Sequence, residues 1–536
     1  MKRIVLNEDS SHFFCWHPEE EMNLDGLDTW LDQYADTQVG ELVFCVNAQR
    51  SSVASEVKQP VWDGFDPEAG TDQPFLSGIR DQPFIMPHGA REHFRRWARG
   101  AWLLHSQGID PYDRWIERSR THGIVPFLSI RMNDVHFVDQ PEHPIHDRFW
   151  KEHPEFRRAP EDRYNGQCLD YERPEVQAYM MSFIREIVGR YDLDGLELDW
   201  MRNPFHLRPG REAAGRTILT EFTSDVRALL DERAKELGHL IQLRARVPWR
   251  PQTALGLGMD AEAWAMEGLI DKLDVAPFLY EQFDLPVEDW KRLLGGTSVT
   301  LSAGLLQGVR PYKQGGPRGA TNLEAARGAA TAMLDRGADQ IYLFNFMDYH
   351  PFGNWGDSFR NSEPGRAYAR ILREVGGLET MAEKSRRHVL VVPDTWAPDE
   401  VPDDPLPCDL GIGETCEFRI HIGPAPGPGQ CAQVRVSVRN AGEVDFNSIT
   451  VRVNGTDCRS SGRAAPPPEW EVPDSAFEIP AGTLRRGYND IEIANKGLDS
   501  LRLIWLELSF SNQDGQWPST GVDVVSLHPK LWAKRG

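Results

Sequence analysis

Two carboxylates, Glu197 and Asp199, give the clearest chemical signal in the sequence. They lie in the stretch YDLDGLELDWMR at residues 191 to 202. In an extended strand, side chains two positions apart share a face, so Glu197 and Asp199 point one way while Leu196 and Leu198 point the other. Burying a charge that is neither paired nor solvated is costly. We therefore expect both carboxylates at an open, polar end of a strand, where they could serve as acid, base or nucleophile.

A third carboxylate, Glu281, ends the segment LDVAPFLYE at 273 to 281, which we predict to be the sixth strand. Glycosidic cleavage uses one acid to protonate the leaving oxygen and one carboxylate to attack the sugar or activate water. In this hypothesis Asp199 is the nucleophile or base, Glu281 is the general acid, and Glu197 tunes or replaces one of them. The structural alternative for the strand-four carboxylates is ion pairing in a polar layer, with Arg131, Arg202 or Arg246 as partner.

Further polar and aromatic residues fall at or just after the predicted strand ends. Their hydrogen-bonding groups suit sugar hydroxyls, and flat aromatic rings can stack on sugar rings. For each tryptophan, packing in the core is the open alternative. The predicted substrate-binding residues are Trp16, His17, Asn47, Arg131, Asn133, His136, Arg202, Arg246, Trp249, Asn345 and Asp348.

Histidines and acids between residues 134 and 147 are also of the types that bind divalent ions. Their spacing matches no metal-binding motif, so the sequence predicts neither a metal nor a cofactor. Two other functions stay open. One is a non-catalytic carbohydrate-binding barrel, and the other is a metal-dependent carbohydrate lyase or deacetylase.

The elements that must position these residues alternate between strand and helix. Strands are predicted at 11–16, 41–47, 123–136, 191–202, 240–250, 273–281, 298–306 and 340–348, with helical patterns between them. Eight such alternations predict an α/β fold, a (β/α)8 barrel, with a doubly wound open sheet as the alternative. Polar residues collect at the carboxyl ends of the strands, and this favours the barrel.

The pattern changes after about residue 385. Short runs of alternating apolar and polar residues follow, separated by glycine and proline turns, which is typical of an antiparallel β-sandwich. We therefore predict two domains. Residues 1–384 form a catalytic (β/α)8 barrel, and residues 385–536 form a jelly-roll-like sandwich that serves as an accessory or carbohydrate-binding domain.

The segment DGLELDWMR at 194–202 resembles the strand-four signature of glycoside-hydrolase-like barrels related to family 10. The segment FWKEHPEF at 149–156 is similar to a loop of the same proteins. The resemblance implies a carbohydrate-active barrel with Asp199 at the acidic position of the motif. Typical family 10 enzymes place a nucleophilic glutamate at the end of strand seven, but VTLSAGLLQ at 299–307 has no carboxylate. Because strand seven lacks this glutamate, we expect the second catalytic carboxylate to be Glu281, at the end of the sixth predicted strand.

The composition of the chain limits the classes of molecule that we expect it to bind. The 536 residues carry a formal net charge of -22, which argues against nucleic acid and anionic membranes as partners and makes neutral or cationic ligands easier to accept. The expected partner, a carbohydrate, follows from the strand-end residues and from the resemblance. Seven cysteines without CxxC spacing favour a reducing compartment. The N-terminus lacks an apolar run of signal-peptide length, so a cytoplasmic location is expected unless a signal has been removed. Motifs for phosphate loops, zinc proteases and serine esterases are absent.

Overall fold

The computed structural model describes residues 2–80, 89–162, 164–311, 319–348, 362–402, 404–439, 446–464 and 474–517. Eight parallel strands close into a barrel in the order β1-β8-β7-β6-β5-β4-β3-β2. Their near-continuous apolar runs are those of parallel strands with both faces covered. The strands are β1 Ile4–Glu8, β2 Val39–Cys45, β3 Val125–Arg131, β4 Gly195–Asp199, β5 Gln242–Pro248, β6 Lys272–Ala276, β7 Thr300–Leu305 and β8 Gln340–Leu343. The predicted barrel is confirmed.

The first predicted strand is wrong. Residues His12–Trp16 form a short helix, α1, and the strand lies earlier, at Ile4–Glu8. All five residues of α1 are buried, and a short apolar run that is buried on every side does not reveal its period. The sixth strand is shorter than predicted, because it ends at Ala276 and leaves Glu281 in the following loop.

Helices cover the outside of the barrel. Pro174 opens the helix that precedes β4, and Val176, Met180, Phe183 and Ile187 form its buried stripe, as their spacing predicted. The helices that follow α1 are α2 Leu24–Asp32, α3 Ala90–Ser106, α4 Pro111–Thr121, α5 Arg148–Glu152, α6 Pro174–Arg190, α7 Glu212–Leu237, α8 Pro251–Gly256, α9 Ala261–Met266, α10 Val287–Leu293, α11 Leu323–Asp335, α12 Glu363–Glu374 and α13 Leu378–Met381. In the described part of the chain, no helix combines the length and apolar character needed to cross a bilayer.

Antiparallel sheets follow the barrel, as predicted. One sheet contains Arg386–Val389, Leu501–Phe510, Ala432–Arg439, Asp474–Ile479 and Arg459–Ala464, with Cys408–Leu410 also paired to Leu501–Phe510. The other contains Thr415–His421, Tyr488–Asn495, Ile449–Val453 and Thr456–Asp457. Their apolar faces share a core of their own. Cys408 and Cys416 form a disulfide that the sequence analysis did not predict.

The residues that follow the first sandwich strand, Arg386–Val389, lie against the barrel loops. Trp249, just after β5, donates its indole N–H to the carbonyl of Thr395 at 3.2 Å. The guanidinium of Arg250 donates to Glu400 at 2.8 Å. Residues that follow the barrel in sequence therefore help to fix the loop at the carboxyl end of β5.

Candidate active site at the carboxyl end of the barrel

Asp199 is the last residue of β4, and one of its carboxylate oxygens is held by three donors. Oδ1 accepts hydrogen bonds from the backbone N–H groups of Met201 and Arg202, at 3.1 and 2.9 Å, and from Arg246 at 2.9 Å. Among the described residues, Oδ2 accepts none. The carboxylate is therefore held in place through Oδ1, and it presents Oδ2, which has no donor among the described residues. The Arg246 guanidinium balances the negative charge of Asp199.

Arg246, in β5, is buried, and only some of its N–H donors form hydrogen bonds among the described residues. Its guanidinium carbon lies 3.8 Å from the centre of the Phe344 ring, which orients the planar group. Nη1 binds Asp199, whereas Nε and Nη2 are buried without a hydrogen-bond partner in the described part of the chain. Arg246 thus keeps two donors beside Asp199.

A chain of charged side chains follows the ends of β1, β3 and β4. Arg131 binds Asp9 and, at 3.1 Å, Asp134. Asp134 also accepts from His136 at 2.7 Å, and the second nitrogen of His136 contacts the guanidinium of Arg202. The neighbouring cations hold the pKa of Asp134 below its ordinary value despite burial. The structure therefore places Arg131, His136 and Arg202, three of the residues that the sequence proposed for substrate binding, close together, and it adds Asp9.

Arg202 also reaches toward the loop after β6. Its guanidinium carbon lies 5.6 Å from the centre of the Phe278 ring, three residues before Glu281. Its Nε and Nη1 are buried without a hydrogen-bond partner among the described residues. Like Arg246, this arginine keeps donors that nothing in the described chain satisfies.

Glu281 lies in the loop after β6, but its carboxylate reaches the end of β7. Oε2 accepts the N–H of Leu306, the residue that follows β7, at 2.9 Å, and Oε1 accepts the N–H of Gln282. No described residue forms an ion pair with Glu281. Burial raises the pKa of Glu281 to about 8, although its two backbone hydrogen bonds act in the opposite direction. Glu281 is therefore a neutral acid at neutral pH.

Asp394, which follows the sandwich strand Arg386–Val389, fixes the turn that carries Glu281. Its two carboxylate oxygens accept the backbone N–H groups of Phe278, Leu279 and Tyr280 at 2.9, 2.5 and 3.0 Å. Short carboxylate bonds to successive amides restrain this turn strongly. The sequence analysis missed Asp394, because 113 residues separate it from Glu281 and no local pattern links them.

Glu197 shares the lumen face of β4 with Asp199, as predicted, but lies deeper in the barrel. It accepts hydrogen bonds from Ser129 at 2.6 Å and from Tyr342 at 3.0 Å, and it is fully buried. Burial and the nearby carboxylate of Asp274 raise the pKa of Glu197. Its position suits tuning of the residues above it rather than contact with a substrate.

Four of the predicted substrate-binding residues use their side chains for contacts within the protein. Asn47 joins the ends of β2 and β3 by bonding both the N–H and the carbonyl of Arg131. Asn133 accepts from Leu169 N at 2.8 Å and donates to backbone carbonyls. Trp16 packs in the core, and Trp249 donates its indole N–H to Thr395, which follows the first sandwich strand.

Asn345 follows β8 with φ at 61°, a left-handed conformation that asparagine tolerates better than most residues. Its side-chain Oδ1 is buried without a hydrogen-bond partner in the described ranges. A buried acceptor left open beside the barrel mouth is suited to a ligand donor.

The remaining two predictions, His17 and Asp348, lie together. Nε2 of His17 is 3.5 Å from Oδ1 of Asp348, and Nε2 of His12 lies 3.2 Å from the same oxygen. Sequence reasoning missed His12 because it assigned residues 11–16 to a strand. By contrast, the residues between 134 and 147 do not form a three-ligand group in the described structure, where His12, His17 and Asp348 do.

No protein-family model matches the chain, and no curated protein matches its sequence. Solved structures do match it. A noncanonic maltogenic alpha-amylase, AmyB from Thermotoga neapolitana, is 11% identical, with 94% of this chain and 98% of that chain covered and a TM-score of 0.36. Chitinase ChiA74 from Bacillus thuringiensis is 10% identical, with 97% and 99% covered and a TM-score of 0.36.

Alpha-L-fucosidase isoenzyme 1 from Paenibacillus thiaminolyticus is 12% identical, with 92% and 97% covered and a TM-score of 0.34. The chain spans 57% of the length of a cycloisomaltooligosaccharide glucanotransferase from Paenibacillus sp.. None of these likenesses assigns the chain to a family, so the resemblance to family 10 stays a prediction.

Proposed function

We propose that the protein is a glycoside hydrolase that cleaves a poly- or oligosaccharide at the carboxyl end of the barrel. The observation that carries this proposal is the contrast between two buried carboxyl groups. Asp199 is paired with Arg246 and presents Oδ2, whereas Glu281 has no cation partner among the described residues and a pKa of about 8. Two carboxyl groups whose surroundings favour opposite protonation states are the arrangement that acid–base hydrolysis needs.

In the proposed reaction, the Glu281 carboxyl gives its proton to the glycosidic oxygen as the bond from that oxygen to the anomeric carbon breaks. Asp199 Oδ2 either takes a proton from the water that attacks the anomeric carbon, or attacks that carbon itself to form a glycosyl ester. In the second case water cleaves the ester, Glu281 takes a proton from that water, and the Asp199 carboxylate is released. The water supplies the hydroxyl group of the new reducing end. The unpaired donors of Arg202 and Arg246 would bind sugar oxygens, and Glu197 would hold Tyr342 in place beneath the site.

The position of Glu281 supports this assignment. The resemblance to family 10 leads us to expect a carboxylate at the end of strand seven, where the sequence has none. Glu281 comes from the preceding loop, yet it bonds the N–H of Leu306 immediately after β7. We propose that it takes the place of a strand-seven carboxylate in space. We further propose that the sandwich serves as an accessory or carbohydrate-binding domain.

The test is a panel of polysaccharides and aryl glycosides incubated with the purified full-length protein, with the products analysed by mass. Hydrolysis of at least one member, lost in Asp199→Asn, is expected. Asp194→Asn is the matched control, because it makes the same change at the opposite end of the strand, where Asp194 pairs with Arg120. Sugar binding without any product would favour the non-catalytic carbohydrate-binding barrel instead.

A further inference from the structure

His12, His17 and Asp348 form a buried group beside the ends of β1 and β8. One ligand atom from each residue lies within 4.8 Å of the others. Helix α1 places the two imidazoles at its beginning and just beyond its end, and the segment after β8 brings Asp348 between them. We propose that these three residues bind a divalent transition-metal ion, for which Zn²⁺ is the best chemical match.

The second nitrogen of each histidine is already held by a carboxylate. Nδ1 of His12 lies 2.5 Å from Glu8, and Nδ1 of His17 lies 2.7 Å from Glu21. A carboxylate accepting the proton on Nδ1 fixes the tautomer that leaves Nε2 available to a metal, and metal-binding histidines commonly have this support. Both Nε2 atoms face Asp348.

The carboxylate of Asp348 is oriented in the same way. Gln33 donates to Oδ2 at 2.9 Å, and the indole N–H of Trp30 lies 3.4 Å from Oδ1. Two neutral donors fix the plane of the carboxylate without balancing its charge. All three ligands are thus positioned by neighbours from the end of β1, the turn between α1 and α2, and α2 with its C-terminal cap, as a preformed site requires.

The charge around the group is negative. Three carboxylates, those of Glu8, Glu21 and Asp348, surround the two imidazoles, and within the described residues no arginine or lysine forms an ion pair with any of them. A divalent cation would balance this charge. Three protein ligands would leave at least one coordination position for water or a substrate oxygen.

The experiment measures binding of Zn²⁺ by calorimetry to the full-length protein after treatment with a chelator, and Co²⁺ absorption reports the ligands. We expect one ion per chain, with His17→Gln and Asp348→Asn losing it. Glu21→Gln should weaken binding by about 10- to 100-fold through its support of His17. Glu21 is one-third exposed, so this variant tests the site even if the ligand variants fail to fold.

His239→Gln is the matched control, because His239 also pairs with an acid, Asp192, but on the exposed surface. It should bind Zn²⁺ like the wild type. The proposal would be overturned if the wild type took up no Zn²⁺, or if Glu21→Gln bound Zn²⁺ as tightly as the control. His12, His17 and Asp348 would then be interpreted as a network that shares protons. Binding is measured without substrate, so the result is independent of the glycosidase proposal.

Discussion

The barrel contains two charged networks that lie one above the other and use the same residue types differently. In the lower network, Arg244 binds both Asp274, at 3.0 Å, and Glu41, and Lys272 binds Glu41 at 2.8 Å. Each cation there has a carboxylate partner. In the upper network, around Asp199, two arginines keep buried donors without partners in the described structure.

The presence of unpartnered donors distinguishes a candidate binding site from a structural network better than the residue types do. A buried donor without a partner costs about 1–3 kcal/mol, so a folded chain rarely keeps several of them together without a ligand to satisfy them. In the lower network each cation is paired with a carboxylate, and Nε of Arg244 is its one buried donor without a partner among the described residues. The upper network has several donors without partners among the described residues, as expected of a binding site. The predictions below test this distinction.

Asp199→Asn should produce the largest effect. It keeps the size of the side chain but removes the charge that we propose attacks the sugar or activates water. We expect kcat/KM on the hydrolysed glycan to fall by about 10⁴-fold, together with a loss of up to about 3–5 kcal/mol in the free energy of unfolding, because buried Arg246 loses its carboxylate partner. Steady-state kinetics and a thermal melt check this, and a variant that loses stability but retains turnover would assign Asp199 to structure.

Arg244→Met should disrupt the lower network. It leaves the buried carboxylate of Asp274 without its cation, so we expect a loss of about 3–5 kcal/mol in the free energy of unfolding. Denaturant titration measures this loss. Arg233→Met is the control, because its ion pair with Glu236 lies on the surface and should contribute less than about 1 kcal/mol. Equal losses in both variants would contradict the proposed role of the lower network.

Glu281→Gln should lower kcat by about 10²-fold and remove the alkaline limb of the pH profile. In the wild type, kcat should fall above pH 8, because the pKa of Glu281 is about 8 and the acid must carry its proton. The same shift affects stability. Because the pKa is raised from 4.5, the contribution of Glu281 to stability is fully present below pH 4.5 and is lost as the pH rises through 8. An unchanged alkaline limb in the variant would exclude Glu281 as the acid.

Asn345→Gly should have the smallest effect. Glycine accepts the left-handed backbone of this position, so the substitution removes the side-chain amide, with its open acceptor, without straining the backbone. We expect KM to rise by about 3- to 10-fold, the equivalent of one hydrogen bond, with unchanged stability. Asn454→Gly is the matched control. Asn454 also has positive φ, but it bonds Thr483 and Asn489, so this variant should lose stability and keep its KM.

The sequence predicted the barrel because buried parallel strands leave long apolar runs, and it predicted the shared face of Glu197 and Asp199 because that follows from strand geometry alone. It assigned the wrong structure to residues 11–16, since a fully buried helix of five residues has no exposed face to reveal its period. It also missed the roles of Asp9, His12 and Asp394. These depend on contacts between distant segments, which no local spacing records.

The central claim is tested most directly by the dependence of kcat/KM on the leaving group in a series of aryl glycosides. A good leaving group needs no proton, so Glu281→Gln should be nearly as active as the wild type on the best leaving group and about 10²-fold slower on the poorest. Asp199→Asn should be slow on all of them. An equal loss across the series in Glu281→Gln, or full activity in Asp199→Asn, would contradict the assignment of the two carboxyl groups.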